Sequence, residues 1–101
     1  MHVLVWVAFD NDGVAGRTIE LLSNTLHESA YAERATFPML SRINPFGDAR
    51  VEASEVGLLA REIEKARTDA RFKAAARDLA ELSALAREAQ SAGLALVFQG
   101  D

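Results

Sequence analysis

With 101 residues, 50% of them hydrophobic and 26% charged, the chain has the balance of one folded globular domain and not that of a disordered tail. Eleven basic against fifteen acidic side chains leave a formal net charge of −4, which argues against a nonspecific grip on nucleic acid phosphates. Cysteine is absent, so disulfides, thiolate metal sites and thiol nucleophiles are excluded together, and a cytoplasmic protein is expected.

The apolar opening from His2 to Phe9 is too short to cross a bilayer and has neither a basic flank nor a small-residue cleavage site, so no membrane or secretory role is expected of it. Val3, Val5, Val7 and Phe9 alternate with Leu4, Trp6 and Ala8, a pattern that predicts a strand buried on both faces. Ile19, Leu22, Leu26 and Ala30 then recur at three- and four-residue steps. They predict a helix from about Arg17 to Arg34, with Glu20, Asn24, His27, Tyr31 and Arg34 on its opposite stripe.

The stretch from Thr36 to Asp48 has neither period and holds both prolines, Pro38 and Pro45. Asn44, Pro45, Phe46 and Gly47 follow the residue order of a type I turn, and Arg50, Val51 and Glu52 beyond it form a candidate short edge strand. Ser54 is the candidate N-cap of a helix that buries Val56, Leu59 and Ile63. A third helix from about Asp69 to Ala92 places Phe72, Ala75, Leu79, Leu82, Ala86 and Ala89 as heptad a and d positions, with Gly93 as its stop. Its alanine-rich seam is expected to pair with the second helix, turning at Thr68 and Asp69, ahead of dimerisation. One helix from Ser54 to Ala92 is the alternative, since Gly57 is the only glycine inside it and there is no proline. Leu94 to Phe98, between Gly93 and Gly100, reads as a second buried strand. The expected fold class is α+β, or a small α/β, as a single domain over residues 1–101. Two or three strands are covered by about three helices in the order β-α-loop(β)-α-α-β, with the terminal strands as neighbours.

Phe9-Asp10-Asn11-Asp12-Gly13-Val14, directly after the first strand, resembles the first motif of haloacid-dehalogenase-like phosphohydrolases. The resemblance implies Asp10 as nucleophile and Asp12 as general acid and base, with Mg²⁺ neutralising the phosphate. Gln99-Gly100-Asp101 is similar to that family's later acidic metal-binding motif. The family also needs a doubly wound sheet of several more strands and a Ser/Thr and a Lys at strand ends, whereas Lys65 and Lys73 fall on predicted helices. The same tetrad is ordinary turn composition. An EF-hand register fails, because Gly13 at its sixth position puts Ala8 first and Ile19 twelfth.

His27 lies on the polar stripe of the first helix without a serine or carboxylate constellation tied to it. Residues 61–77 carry six basic and three acidic side chains, among them Arg61, Lys65, Arg67, Arg71, Lys73 and Arg77. These could meet an acidic partner or nucleic acid. The interleaved Glu62, Glu64 and Asp69, and the lack of any aromatic but Phe72 on the buried stripe, favour a solvated helix face.

The segment Phe37-Pro38-Met39-Leu40-Ser41-Arg42-Ile43-Asn44-Pro45-Phe46-Gly47-Asp48 resembles that of a group of small uncharacterised bacterial proteins. Their pattern is Phe-Pro-x-Leu-Ser-Arg-Ile-Asp-Pro-Tyr-Gly-Asp, with Asn44 and Phe46 at two variable points here. Some members are similar to immunity or accessory proteins of bacterial competition systems, and the resemblance imports no established activity. Read from the residues, Phe37, Leu40, Ile43 and Phe46 either plug the core, with Arg42 paired to a carboxylate, or serve a partner. The expected division puts Leu40 and Ile43 inside and leaves Phe46 at the turn tip, with Arg42, Asn44 and Asp48, available for partner binding.

No constellation supplies nucleophile, base and stabiliser together. The expected function is therefore a noncatalytic protein-binding module with no cofactor, and the loop's resemblance implies an immunity-type inhibitor as one form of it. The alternatives are a reduced Mg²⁺-dependent phosphohydrolase using Asp10 and Asp12, and a structural homodimer. A protein partner is expected ahead of a small molecule, nucleic acid or membrane, with the chain itself a monomer or weak homodimer.

Overall fold

Alternation of inward and outward side chains along four strands organises the sheet. The computed structural model describes residues 1–100. It has the expected α+β class, with strands β1 (Val3–Ala8), β2 (Val14–Leu21), β3 (Asp48–Val51) and β4 (Ala95–Gln99) and helices α1 (Asn24–Ala32), α2 (Val56–Arg67) and α3 (Ala76–Ala92). The sheet order is β2-β1-β4-β3, and every neighbouring pair is antiparallel. The terminal strands are neighbours as anticipated, with Val5 opposite Phe98 and Val7 opposite Leu96.

The strand count is four, not two or three, because β2 takes in the start of the span predicted as the first helix, from Arg17 to Leu21. Ile19 pairs with Val5 and Leu21 with Val3, and both are buried while Leu22, on the supposed helical stripe, is exposed. Gly16 at φ 97° and the β-branched Val14, Thr18 and Ile19 suit an extended edge strand better than a helix. The true helix starts only at Asn24, and Leu26 and Ala30 are its buried residues, as expected.

One face of the sheet meets the helices. Val3, Val5, Val7, Ile19, Leu21, Val51, Leu96 and Phe98 are buried there in one core with Leu59, Ile63, Leu79, Leu82 and Leu85. β1 was expected to be covered on both faces. Leu4 and Trp6 are instead only partly buried, on the side away from the core, where they share cross-strand rows with Gln99 and Val97. An antiparallel sheet can leave such a face toward water.

Residues 54–92 break into two helices, with the turn at Thr68 and Asp69 as predicted. The α2 helix begins at Val56 after a 3₁₀ turn over Ala53–Glu55, so Ser54 is not its N-cap. Phe72 and Ala75 lie in a second 3₁₀ segment, Ala70–Ala75, ahead of α3. All six seam positions, from Phe72 to Ala89, are buried within the chain, and α3 packs on α2, β1, β2 and β4. Gly93, at φ 67°, ends α3, and the Leu94 N–H donates to Ala89 O at 2.9 Å, a left-handed C-cap that glycine adopts without a Cβ penalty.

Asp69 caps the 3₁₀ segment, accepting from the Arg71 backbone N–H at 2.9 Å. Hydrogen bonds from the Arg71 guanidinium, then from that N–H, hold the Asp69 carboxyl down at about 2. A depressed carboxyl contributes stability that is complete above its unfolded value, roughly 3.9, and is lost as pH falls through the folded one. Acid titration followed by NMR should therefore place the Asp69 midpoint near 2, and Asp69→Asn should flatten the stability loss between about pH 4 and pH 2. A midpoint at the ordinary carboxylate value would show that the Arg71 contacts do not persist in solution.

Candidate functional site

The Thr36–Asp48 segment is ordered by its own side chains and by carboxylates reaching in from elsewhere. Phe37, Leu40 and Ile43 are buried, and Phe37 meets Phe72 edge-on with ring centroids 5.0 Å apart, a favoured aromatic geometry. Residues Leu40–Arg42 form one 3₁₀ turn. On α2, the Glu62 carboxylate accepts from the Met39 N–H at 2.9 Å and from the Leu40 N–H at 3.0 Å. An anion placed at free N–H groups at the start of a turn stabilises it as a helix cap does. His27 Nδ1 donates to Ile43 O at 3.1 Å, so this imidazole holds the loop rather than lying free on a polar stripe.

The turn at the end of the segment presents the predicted partner-binding residues. Asn44 accepts from the Phe46 N–H at 2.9 Å through its side chain, and the Gly47 N–H donates to Asn44 O at 3.3 Å. An Asx hydrogen bond and a turn hydrogen bond thus close the same corner. Gly100 lies against it and donates its N–H to Gly47 O at 3.0 Å. A Cβ on Gly100 would come within 2.5 Å of Asn44 O and 2.6 Å of Gly47 O, so only glycine lets the end of β4 pass this close.

Phe46 is 83% exposed on this braced turn, above a cleft of about 330 Å³ lined by Met1, His2, Asn24, Pro45 and Phe46 itself. Asp48, exposed at the start of edge strand β3, pairs in register with Gln99. The structure brings Asn44, Phe46 and Asp48 to one corner. Arg42 is exposed too, but its guanidinium donates to Arg50 O at 3.0 Å and lies 3.5 Å from the Glu55 carboxylate.

The acidic tetrad occupies a β-hairpin. The Phe9 N–H donates to Gly13 O at 3.0 Å and the Asp12 N–H to Phe9 O at 2.9 Å. Asp12 sits at φ 64°, the left-handed position that closes this type of loop and that Asp tolerates better than most residues. Its carbonyl accepts from the Trp6 indole N–H at 3.2 Å, and its carboxylate pairs with Arg50 of β3. The phosphohydrolase resemblance implies a strand leading into a parallel, doubly wound sheet, whereas this strand turns straight back into an antiparallel one.

Nor does the donor set fit Mg²⁺. Asp12 is already paired with Arg50, and among the described residues no three His, Asp or Glu side chains form a group that could hold a metal. The further acid implied by that resemblance, Asp101, lies outside the described residues.

Two surfaces went unmarked in the sequence. One is the outer sheet face, where Thr18, Trp6, Val97 and Arg50 form a row across all four strands. The other is a groove between α2 and Thr36–Met39, which the pattern of Val56, Leu59 and Ile63 on the second helix hides because Leu58 lies off that buried stripe. No helix of the described residues is long and apolar enough to cross a membrane. No family profile, curated protein or solved structure matches this chain.

Proposed function

We propose that the chain is a noncatalytic protein-binding module that uses the corner formed by Asn44, Phe46 and Asp48, with Arg42 beside it on the same loop. The observation that carries this reading is Phe46. A large aromatic side chain held outside the core by a turn with three hydrogen bonds contributes almost nothing to folding. It offers a partner a rigid apolar anchor that loses little freedom on binding. An exposed carboxylate next to it, Asp48, supplies the polar rim that such anchors have.

The finer reading is an immunity-type inhibitor, whose partner would be an enzyme of bacterial competition. It draws its support from the loop pattern Phe37 to Asp48.

Phe46→Ala should leave the denaturation midpoint within about 0.5 kcal/mol of wild type, as surface substitutions do. Leu40→Ala should cost about 2–5 kcal/mol. In co-purification from the native host, Phe46→Ala should lose a partner that the wild-type chain retains, and a partner enzyme should lose activity as wild-type chain is added. If Phe46→Ala unfolds the protein as Leu40→Ala does, or keeps every partner, the corner is scaffold.

A further inference from the structure

We propose that the groove between α2 and the Thr36–Met39 segment is a docking site for an acidic protein segment bearing an apolar anchor. Thr36, Pro38, Met39, Leu58, Arg61, Glu62 and Lys65 line this groove of about 330 Å³. Its floor is apolar, and Leu58 is 52% exposed there although it stands one position from the buried Leu59. Arg61 and Lys65, one helical turn apart on α2, are both exposed at its wall.

These two cations differ from most others in the chain. Arg17 pairs with Glu88, Arg50 with Asp12 and Glu52, Arg67 with Glu64, and Arg71 with Asp69. Arg61 and Lys65 have no carboxylate within ion-pair distance among the described residues, and Lys65 has only the Phe37 ring, 5.9 Å from its Nζ. The one acid in the groove, Glu62, is engaged by the Met39 and Leu40 N–H groups. That engagement also fixes the floor, so the groove is formed before anything binds and little ordering cost remains.

An apolar floor with two unpaired cations at its wall is complementary to a segment that places carboxylates beside a Leu or Phe. Nucleic acid fits less well, because the groove has no exposed aromatic ring on which a base could stack and the chain as a whole is anionic. The site shares no residue with the Phe46 corner, so either can fail without the other.

The test is a titration of the full ¹⁵N-labelled chain, followed by amide shifts. The probes are a short synthetic peptide of Asp and Glu around a central Leu-Phe pair, the same peptide with Ser for Leu-Phe, its Lys-substituted counterpart, and an oligothymidylate of equal length. Saturable shifts should appear with the first probe alone, centred on Thr36, Met39, Leu58, Arg61, Glu62 and Lys65, and should weaken with added salt. The double variant Arg61→Glu, Lys65→Glu should bind it about tenfold more weakly or worse. Both positions are exposed, so its melting temperature serves as the check that it is folded. The proposal is overturned by no saturable shift with the acidic Leu-Phe peptide. It is equally overturned by equal binding of the Ser peptide or of oligothymidylate, by shifts centred elsewhere, or by undiminished binding to the folded double variant.

Discussion

Phe37→Ala should lower the unfolding free energy by about 3–5 kcal/mol, the range seen when a buried aromatic is truncated to leave a cavity. Phe37 is fully buried, packs edge-on against Phe72, and anchors the start of the loop to α2 and the Ala70–Ala75 segment. Domains of this size are stable by only about 5–15 kcal/mol in total, so the variant should be close to unfolding at 25 °C. Urea denaturation at low temperature measures the loss, and Phe37→Leu, which refills most of the volume, should recover much of it. A loss no larger than that of Phe46→Ala would mean that the loop does not pack as described.

A second sizeable effect, polar rather than apolar in origin, should come from Asp78, a carboxylate only 3% exposed in the first turn of α3. Its Oδ2 accepts from the Leu22 N–H at 2.9 Å and from the Ser23 N–H at 2.7 Å. The position near a helix N-terminus further favours the negative charge. Asp78→Ala removes two hydrogen bonds to a charged acceptor and leaves both amides without a protein partner, a change expected to cost about 1.5–3 kcal/mol. Asp78→Asn keeps one carbonyl acceptor in place and should cost less. The denaturation midpoints rank the three proteins, and hydrogen exchange locates the change. Amides of Leu22 and Ser23 should lose protection in Asp78→Ala before the amides of β1 and β4 do, and unchanged exchange there would contradict the role.

Local pattern was sufficient where an element's own periodicity matches the face it buries. Val56, Leu59 and Ile63 of α2, Leu79, Leu82, Ala86 and Ala89 of α3, and the stop at Gly93 are all where spacing put them, because helical contacts recur within a few residues of each other. Phe72 and Ala75 are buried as expected, but in the 3₁₀ segment ahead of α3. The loop was legible in part for a similar reason: Asn44, Pro45 and Gly47 encode their turn chemistry locally. The order of the sheet, and the fact that only one of its faces is covered, depended on which strands met.

The β2 strand shows why local pattern fell short. Ile19, Leu22, Leu26 and Ala30 satisfy a helical period, and nothing within that segment rules it out. The extended form wins because Ile19 and Leu21 gain a core only by pairing with Val5 and Val3, and because Asp78, far along the chain, takes the N–H groups of Leu22 and Ser23 and sets where α1 begins. The candidate sites divide in the same way. The exposure of Phe46 follows from a turn written in adjacent residues. The groove beside Leu58 exists only where Glu62 draws Met39 and Leu40 against α2, and contacts between residues so distant in sequence leave no periodic trace in either segment.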